Sequence, residues 1–213
     1  MARKLSRASH PRLRSGLRSS DIAAGLAVAT AGGFVCATSV GSGLAAPASS
    51  REVAAWLLTL LGYAGFVVGG IALIRADLLT HTLPNQTVAA VALWTAGALS
   101  IASVALGEWA ALGAAWGAAI ATLAVAFVCW WATAGALGGG DAKLLPIAVF
   151  ATVWAAGAGA VPLSVGLFLM LLAGAFGLAG LVALIRRRRE FAAGPAIFCA
   201  AIGGVALAPV LAV

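Results

Sequence analysis

Charge is scarce in this sequence. Only 9% of its 213 residues are Asp, Glu, Lys or Arg, and only six are acidic, whereas a water-soluble domain carries roughly 25% charged residues. Hydrophobic residues make up 63% of the chain and its mean hydropathy is +1.08. So much apolar surface cannot be hidden in one water-facing fold, which excludes a soluble globular class and points to an integral membrane protein. Cysteine is also sparse: Cys36, Cys129 and Cys199 each sit in an apolar run and none forms a CxxC pair. That spacing argues against a zinc site or a disulfide framework; thiols in such runs behave as small hydrophobes. No dinucleotide fingerprint and no GxxxxGK[ST] phosphate loop is present. We therefore expect neither metal nor cofactor.

What the chain has is long apolar runs of about 20 residues, the length a helix needs to cross a ~30 Å hydrocarbon core. The alternation of a transmembrane barrel is missing. The runs fall near 22–47, 54–76, 87–106, 109–134, 142–160, 162–185 and 191–213, behind a polar basic tail at 1–21. The expected fold is all-α, a polytopic membrane helix bundle. Its breaks have local causes: PASSRE at 47–52, Pro84 and Asn85, Glu108 and Trp109, Gly138–Gly140, then Gly157, Gly159 and Pro162. Trp56, Trp109, Trp130 and Trp131 lie near run ends, as interfacial aromatics do. Gly65–Gly69 and Gly113–Gly117 have the small-xxx-small spacing that lets helix backbones approach. The run at 22–47 reads as a retained extra helix; the alternative is a signal segment, because GLAAPA resembles a signal-peptidase site.

The net charge of +7 is concentrated. Arg3, Lys4, Arg7, Arg12, Arg14 and Arg18 crowd the tail, and Arg186–Arg189 follow the sixth run. We read this as orientation by positive-inside bias rather than as nucleic-acid binding. With the tail in the cytoplasm, twelve of the thirteen Lys and Arg fall inside and only Arg51 falls outside. The same threading brings Asp77 and Asp141 to the cytoplasmic side at one membrane depth. The chain is thus expected to be multi-pass in the plasma (inner) membrane, with its N-terminus cytoplasmic and the lipid bilayer as a partner.

Asp77 and Asp141 are the informative acids, because an acid at the border of lipid is expensive to keep and by default functional. Asp77 lies in IRADLLTHTLPN and Asp141 follows Gly138-Gly139-Gly140. Glycine permits positive φ and close approach of another backbone, so the three glycines read as a loop against which an extended substrate strand can lie. The bland reading of Asp141 is a cap at the positive end of a helix; that of Asp77 is an interfacial acid paired with Arg75. Two out-and-back helices fit between the acids and could return the chain beside its start. Two carboxylates at hydrogen-bond range cannot both ionise cheaply, so one pKa rises and the pair holds one proton. The ionised member can then take a proton from water while the protonated member polarises a carbonyl, which is peptide hydrolysis by general acid–base catalysis. His81, four residues beyond Asp77, would share its helix face if the helix continued, but reads as a solvated interface residue.

GGGDAKLL at 138–145 resembles the GxGDxKLL motif of the type IV prepilin peptidases, which are GxGD-type membrane aspartic proteases. ADLLTHTLPN at 76–85 resembles that family's first-aspartate segment, and FAAGPAIFCAAIG at 191–203 is similar to the Gly-Pro that opens its last helix. The resemblance covers about 50–205. It implies a six-helix core over 54–213, and the extra N-terminal helix is a departure from that minimal core. It implies an aspartic endopeptidase that removes the basic leader of a prepilin or pseudopilin precursor, with Asp77 and Asp141 as the catalytic pair. Gly138 and Gly140 match the motif glycines, with Gly139 between them, and Lys143 and Pro84 match motif positions without a clear role. The paired-cysteine segment of the larger bifunctional members is missing, so N-methyltransferase activity is not expected. The Tyr-Asp and Pro-Ala-Leu motifs of the presenilin-like branch are missing as well. Two other function classes stay open: a proton-coupled small-solute carrier, and a noncatalytic pilus or secretion assembly factor.

Overall fold

The computed structural model describes residues 49–80, 83–132, 139–185 and 193–211. The expectations for the tail at 1–21, the run at 22–47, His81, Gly138 and Arg186–Arg189 lie outside the described residues. Within them every long element is a helix: α1 Ser50–Thr80, α2 Asn85–Leu106, α3 Trp109–Ala132, α4 Gly139–Ala156, α5 Val161–Ile185 and α6 Gly194–Leu211, with a 3-10 turn at Ala158–Ala160 before α5. Four segments, Ser50–Leu79, Asn85–Leu106, Trp109–Ala132 and Ala158–Val182, are long and apolar enough to cross a membrane. The chain is a helical membrane protein.

Three helix boundaries have a visible backbone cause. Pro84, with extended backbone at φ −64° and ψ 121°, stands immediately before α2, and its carbonyl accepts the Val88 N–H at 3.1 Å. Gly107 closes α2 in the left-handed region at φ 78°, and its N–H returns to the last turn. That geometry is costly for any residue with a Cβ. Gly157, also at φ 78°, ends α4 at Ala156, four residues short of the expected 160. In the other direction α1 runs on to Thr80 rather than stopping at 76. No helix breaker occurs between Arg75 and Thr80, so Asp77 sits inside a helix and not after it.

The bundle is built on close helix contacts. α1 and α2 are antiparallel. The Arg51 guanidinium donates to the Val104 carbonyl at one end, and along the shared face Gly62 meets Leu99, Gly65 meets Trp94 and Gly69 meets Val91. A Cβ at Gly65 or Gly69 would overlap those side chains, so this pair packs as expected. Gly113 and Gly117 do not: nothing lies within 4 Å of a Cβ built at either. The helical spacing is right there, but among the described residues no neighbouring helix covers that face of α3.

α4 is the central element, buried almost throughout from Leu144 to Ala156 and packed against α2, α3, α5 and α6. Two buried polar contacts tie it to other helices, while its Thr152 hydroxyl donates back to the Ala148 carbonyl of the same helix. The Tyr63 hydroxyl donates to the Ala151 carbonyl at 2.9 Å, and the Trp154 indole N–H donates to Ser103 Oγ at 2.7 Å. Such pairing is what makes polar atoms tolerable away from water. α5 lies at the periphery, with Leu163, Met170, Leu178, Leu184 and Ile185 all exposed. Its all-round apolar surface has no polar face to offer water, as suits a helix against lipid. Trp56, Trp109, Trp130 and Trp131 are exposed near helix ends, which fits the aromatic belt.

Candidate active site

Three helix ends converge at one end of the bundle: the last turns of α1 and the first turns of α4 and α6. Asp77 enters from α1. It is 7% exposed, the only buried acid among the described residues. Its Oδ2 accepts the backbone N–H of Gly194, the first residue of α6, at 2.9 Å. Further along, Phe66 stacks on Phe198 with ring centroids 4.8 Å apart, and Gly70 leaves room for the same Phe198 ring. α1 and α6 are therefore held together for several turns, and the position of Asp77 is fixed by packing as well as by the hydrogen bond.

Asp141 enters from the first turn of α4, ahead of its apolar stretch and outside the four long apolar segments. It is half-buried. Burial first, and the negative charge of Asp77 second, push its carboxyl up from the ordinary 3.8 to about 6. Two acids 64 positions apart in the chain thus lie within electrostatic reach of each other. Helix register gives the same answer. Gly204 of α6 packs on Thr152 of α4, the two helices run parallel, and an equal step back along both brings Asp141 level with the start of α6, where Asp77 is bound.

The residues after Asp77 close the site from the other side. Leu83 lies against Gly140, where an added Cβ would stand 2.5 Å from Leu83 Cβ. Lys143 Nζ donates to Asn85 Oδ1 at 2.8 Å. Pro84, exposed, stands between those two contacts. The LPN segment behind one acid is therefore clamped onto the helix start that carries the other. Gly139 is exposed, beside the Trp130 indole.

The glycines correct one expectation. Gly139 and Gly140 are the first two residues of α4, not part of a loop, and neither has positive φ. Gly140 is needed for close approach, and what approaches is Leu83 of this chain. Asp141 is the third residue of the helix, within its first turn, where it also gains from the positive end of the helix dipole. Lys143 is exposed but bonded to Asn85, a partner missed from sequence although it lies inside the LPN string. The Gly194 N–H was also missed as a partner of Asp77. The Gly-Pro at 194–195 was visible, but a backbone donor carries no side-chain signal.

Chemically, these are two carboxyl groups at the end of an apolar bundle, one of them pushed toward the protonated form first by its own burial and second by the charge of the other. Two carboxyl groups that come within hydrogen-bond range can share a proton and act as acid and base together. Among the described residues no group of three or more His, Cys, Asp and Glu is placed to hold a metal ion. No protein-family model, curated protein or solved structure matches the chain.

Proposed function

We propose that the chain is a membrane aspartic endopeptidase of the type IV prepilin peptidase kind, acting on the basic leader of prepilin or pseudopilin precursors at the cytoplasmic face of the plasma membrane. One observation carries the reading: Asp77 and Asp141 stand at the same end of a helical membrane bundle, close enough for the charge of one to raise the pKa of the other. The motif resemblance supplies the substrate class, and the positive-inside count supplies the orientation. In this reading α1–α6 are the six-helix core, and the run at 22–47 is an additional helix.

The chemistry follows from the pair. Asp141, raised to about 6, is the member that carries the shared proton. The Asp77 carboxylate takes a proton from a water molecule as the hydroxyl oxygen bonds to the scissile carbonyl carbon. Asp141 gives its proton to the carbonyl oxygen. The tetrahedral diol then collapses, the C–N bond breaks, the amine nitrogen receives the proton held by Asp77, and Asp141 recovers one from the diol. Water is consumed and the pair returns with one proton. Each positioned transfer contributes roughly 10²–10⁴ in rate.

Both acids sit at the bundle end. Carrier sites lie near the midplane between broken helices, so the proton-coupled carrier is the weaker reading. The deciding experiment co-expresses the chain with a candidate precursor and follows precursor size, comparing wild type with Asp77→Asn and Asp141→Asn. Each substitution is expected to abolish processing while folded protein still accumulates in the membrane. Processing that survives either substitution rejects the assigned pair, and a carrier leaves precursor size unchanged throughout.

A further inference from the structure

We propose that Gly194 is a positioning residue for Asp77: its N–H and its missing side chain together set where the Asp77 carboxylate stands opposite Asp141. This deepens the endopeptidase reading and rests on it.

The hydrogen-bond inventory at the start of α6 makes the case. The first N–H groups of a helix have no partner within it and point outward along its axis. Here Pro195 has no N–H, and the Ala196 and Ile197 N–H groups both go to the Ala193 carbonyl, at 3.0 and 3.2 Å. Gly194 keeps the one donor left over in that turn, and it goes to Asp77 Oδ2 at 2.9 Å. A donor fixed in a helix holds direction better than one in a loop. This helix is pinned further along by Phe198 on Phe66 and Gly70, and by Gly204 on Thr152.

Contact with the acid extends beyond the hydrogen bond. A Cβ at position 194 would stand 2.9 Å from Asp77 Oδ2, 3.4 Å from its Cγ and 3.5 Å from its Cβ. Glycine leaves room for the carboxyl group at this distance, whereas a Cβ would have to push Oδ2 aside. Oδ2 is engaged by the N–H, which assigns Oδ1 to the water. A side chain at 194 displaces the carboxylate from that arrangement, and among the described residues the three heavy atoms nearest a Cβ there all belong to Asp77.

The test uses the full chain in detergent micelles with a purified precursor. Gly194→Ala is expected to lower kcat at least tenfold and leave KM within twofold, because binding surfaces are intact and only the acid has moved. Gly203→Ala, on the same helix and facing the flexible Leu171 side chain, is expected to leave both constants unchanged. Thermal unfolding of wild type, Gly194→Ala, Asp77→Ala and the double variant reads the contact without using activity. The alanine at 194 should lower Tm in the wild-type background and lower it much less once Asp77 is gone. If Gly194→Ala alone does not fold, recovery of folded protein in the double variant reads the same coupling. A folded Gly194→Ala enzyme with kcat within twofold of wild type overturns the inference and leaves the protease reading standing, as do additive Tm effects or failure of the double variant to recover. A folded wild-type chain that never cuts its precursor overturns the protease reading, and the inference with it.

Discussion

The proton on Asp141 makes cleavage pH-dependent in one direction. Its carboxyl is raised to about 6 by burial and by the Asp77 charge. An acid raised in this way is the proton donor below its pKa and loses that role above it. From a value of about 6, about nine tenths of the enzyme carries the proton at pH 5 and only about a tenth at pH 7. The rate under limiting substrate, which reports the free enzyme, should fall roughly tenfold for each pH unit above about 6.5. The assay is initial cleavage of a detergent-solubilised precursor between pH 5 and pH 8.5 at constant ionic strength, with unfolding checked at each pH. A rate that stays flat across this range, or climbs between pH 6 and pH 7.5, refutes the assignment of Asp141 as the acid. Such a climb would mean that Asp141 works in its ionised form.

Stability should move against activity at the same residue. Because the folded-state pKa of Asp141 is raised, folding favours its protonated form. The penalty is absent below about pH 4, grows as pH rises through about 6, and is full above that. Asp141→Asn removes the charge, so its Tm should exceed that of wild type at pH 7.5 and match it near pH 4; a lower Tm at pH 7.5 contradicts the cause given for the shift. Gly70→Ala places a Cβ into the Phe198 ring, which is itself stacked on Phe66, and overpacking of this sort costs about 1–3 kcal/mol. Gly117→Ala meets nothing within 4 Å and should be neutral or stabilising by about 0.5–1 kcal/mol. Thermal unfolding of the two variants side by side checks the distinction, and equal effects would refute the packing described for α1 and α6.

What could be read in advance was what one-dimensional hydropathy controls. Apolar runs broken at Pro84, at Glu108 and Trp109, and at Gly157 gave six helices to within a few residues, because those boundaries are local events in the chain. Facing was harder. Gly65–Gly69 and Gly113–Gly117 carry the same spacing, yet among the described residues only the first pair meets another helix. Every face of these helices is apolar, so periodicity does not say which one is covered. The two acids were legible because charge is expensive in such a chain, and charge orientation alone placed them at a common depth. The groups that hold them were not. Leu83 against Gly140 is a contact between ordinary apolar residues, and the donor to Asp77 is a main-chain N–H located 117 positions away. A backbone donor leaves its trace in sequence only through its neighbours: a glycine small enough to admit the carboxylate and a proline that removes the competing N–H. Gly194-Pro195 is such a trace, and its meaning depends on knowing that α6 starts beside α1. The orientation of the start of α6 is therefore the least legible part of the site, and it is the part on which the placement of Asp77 depends.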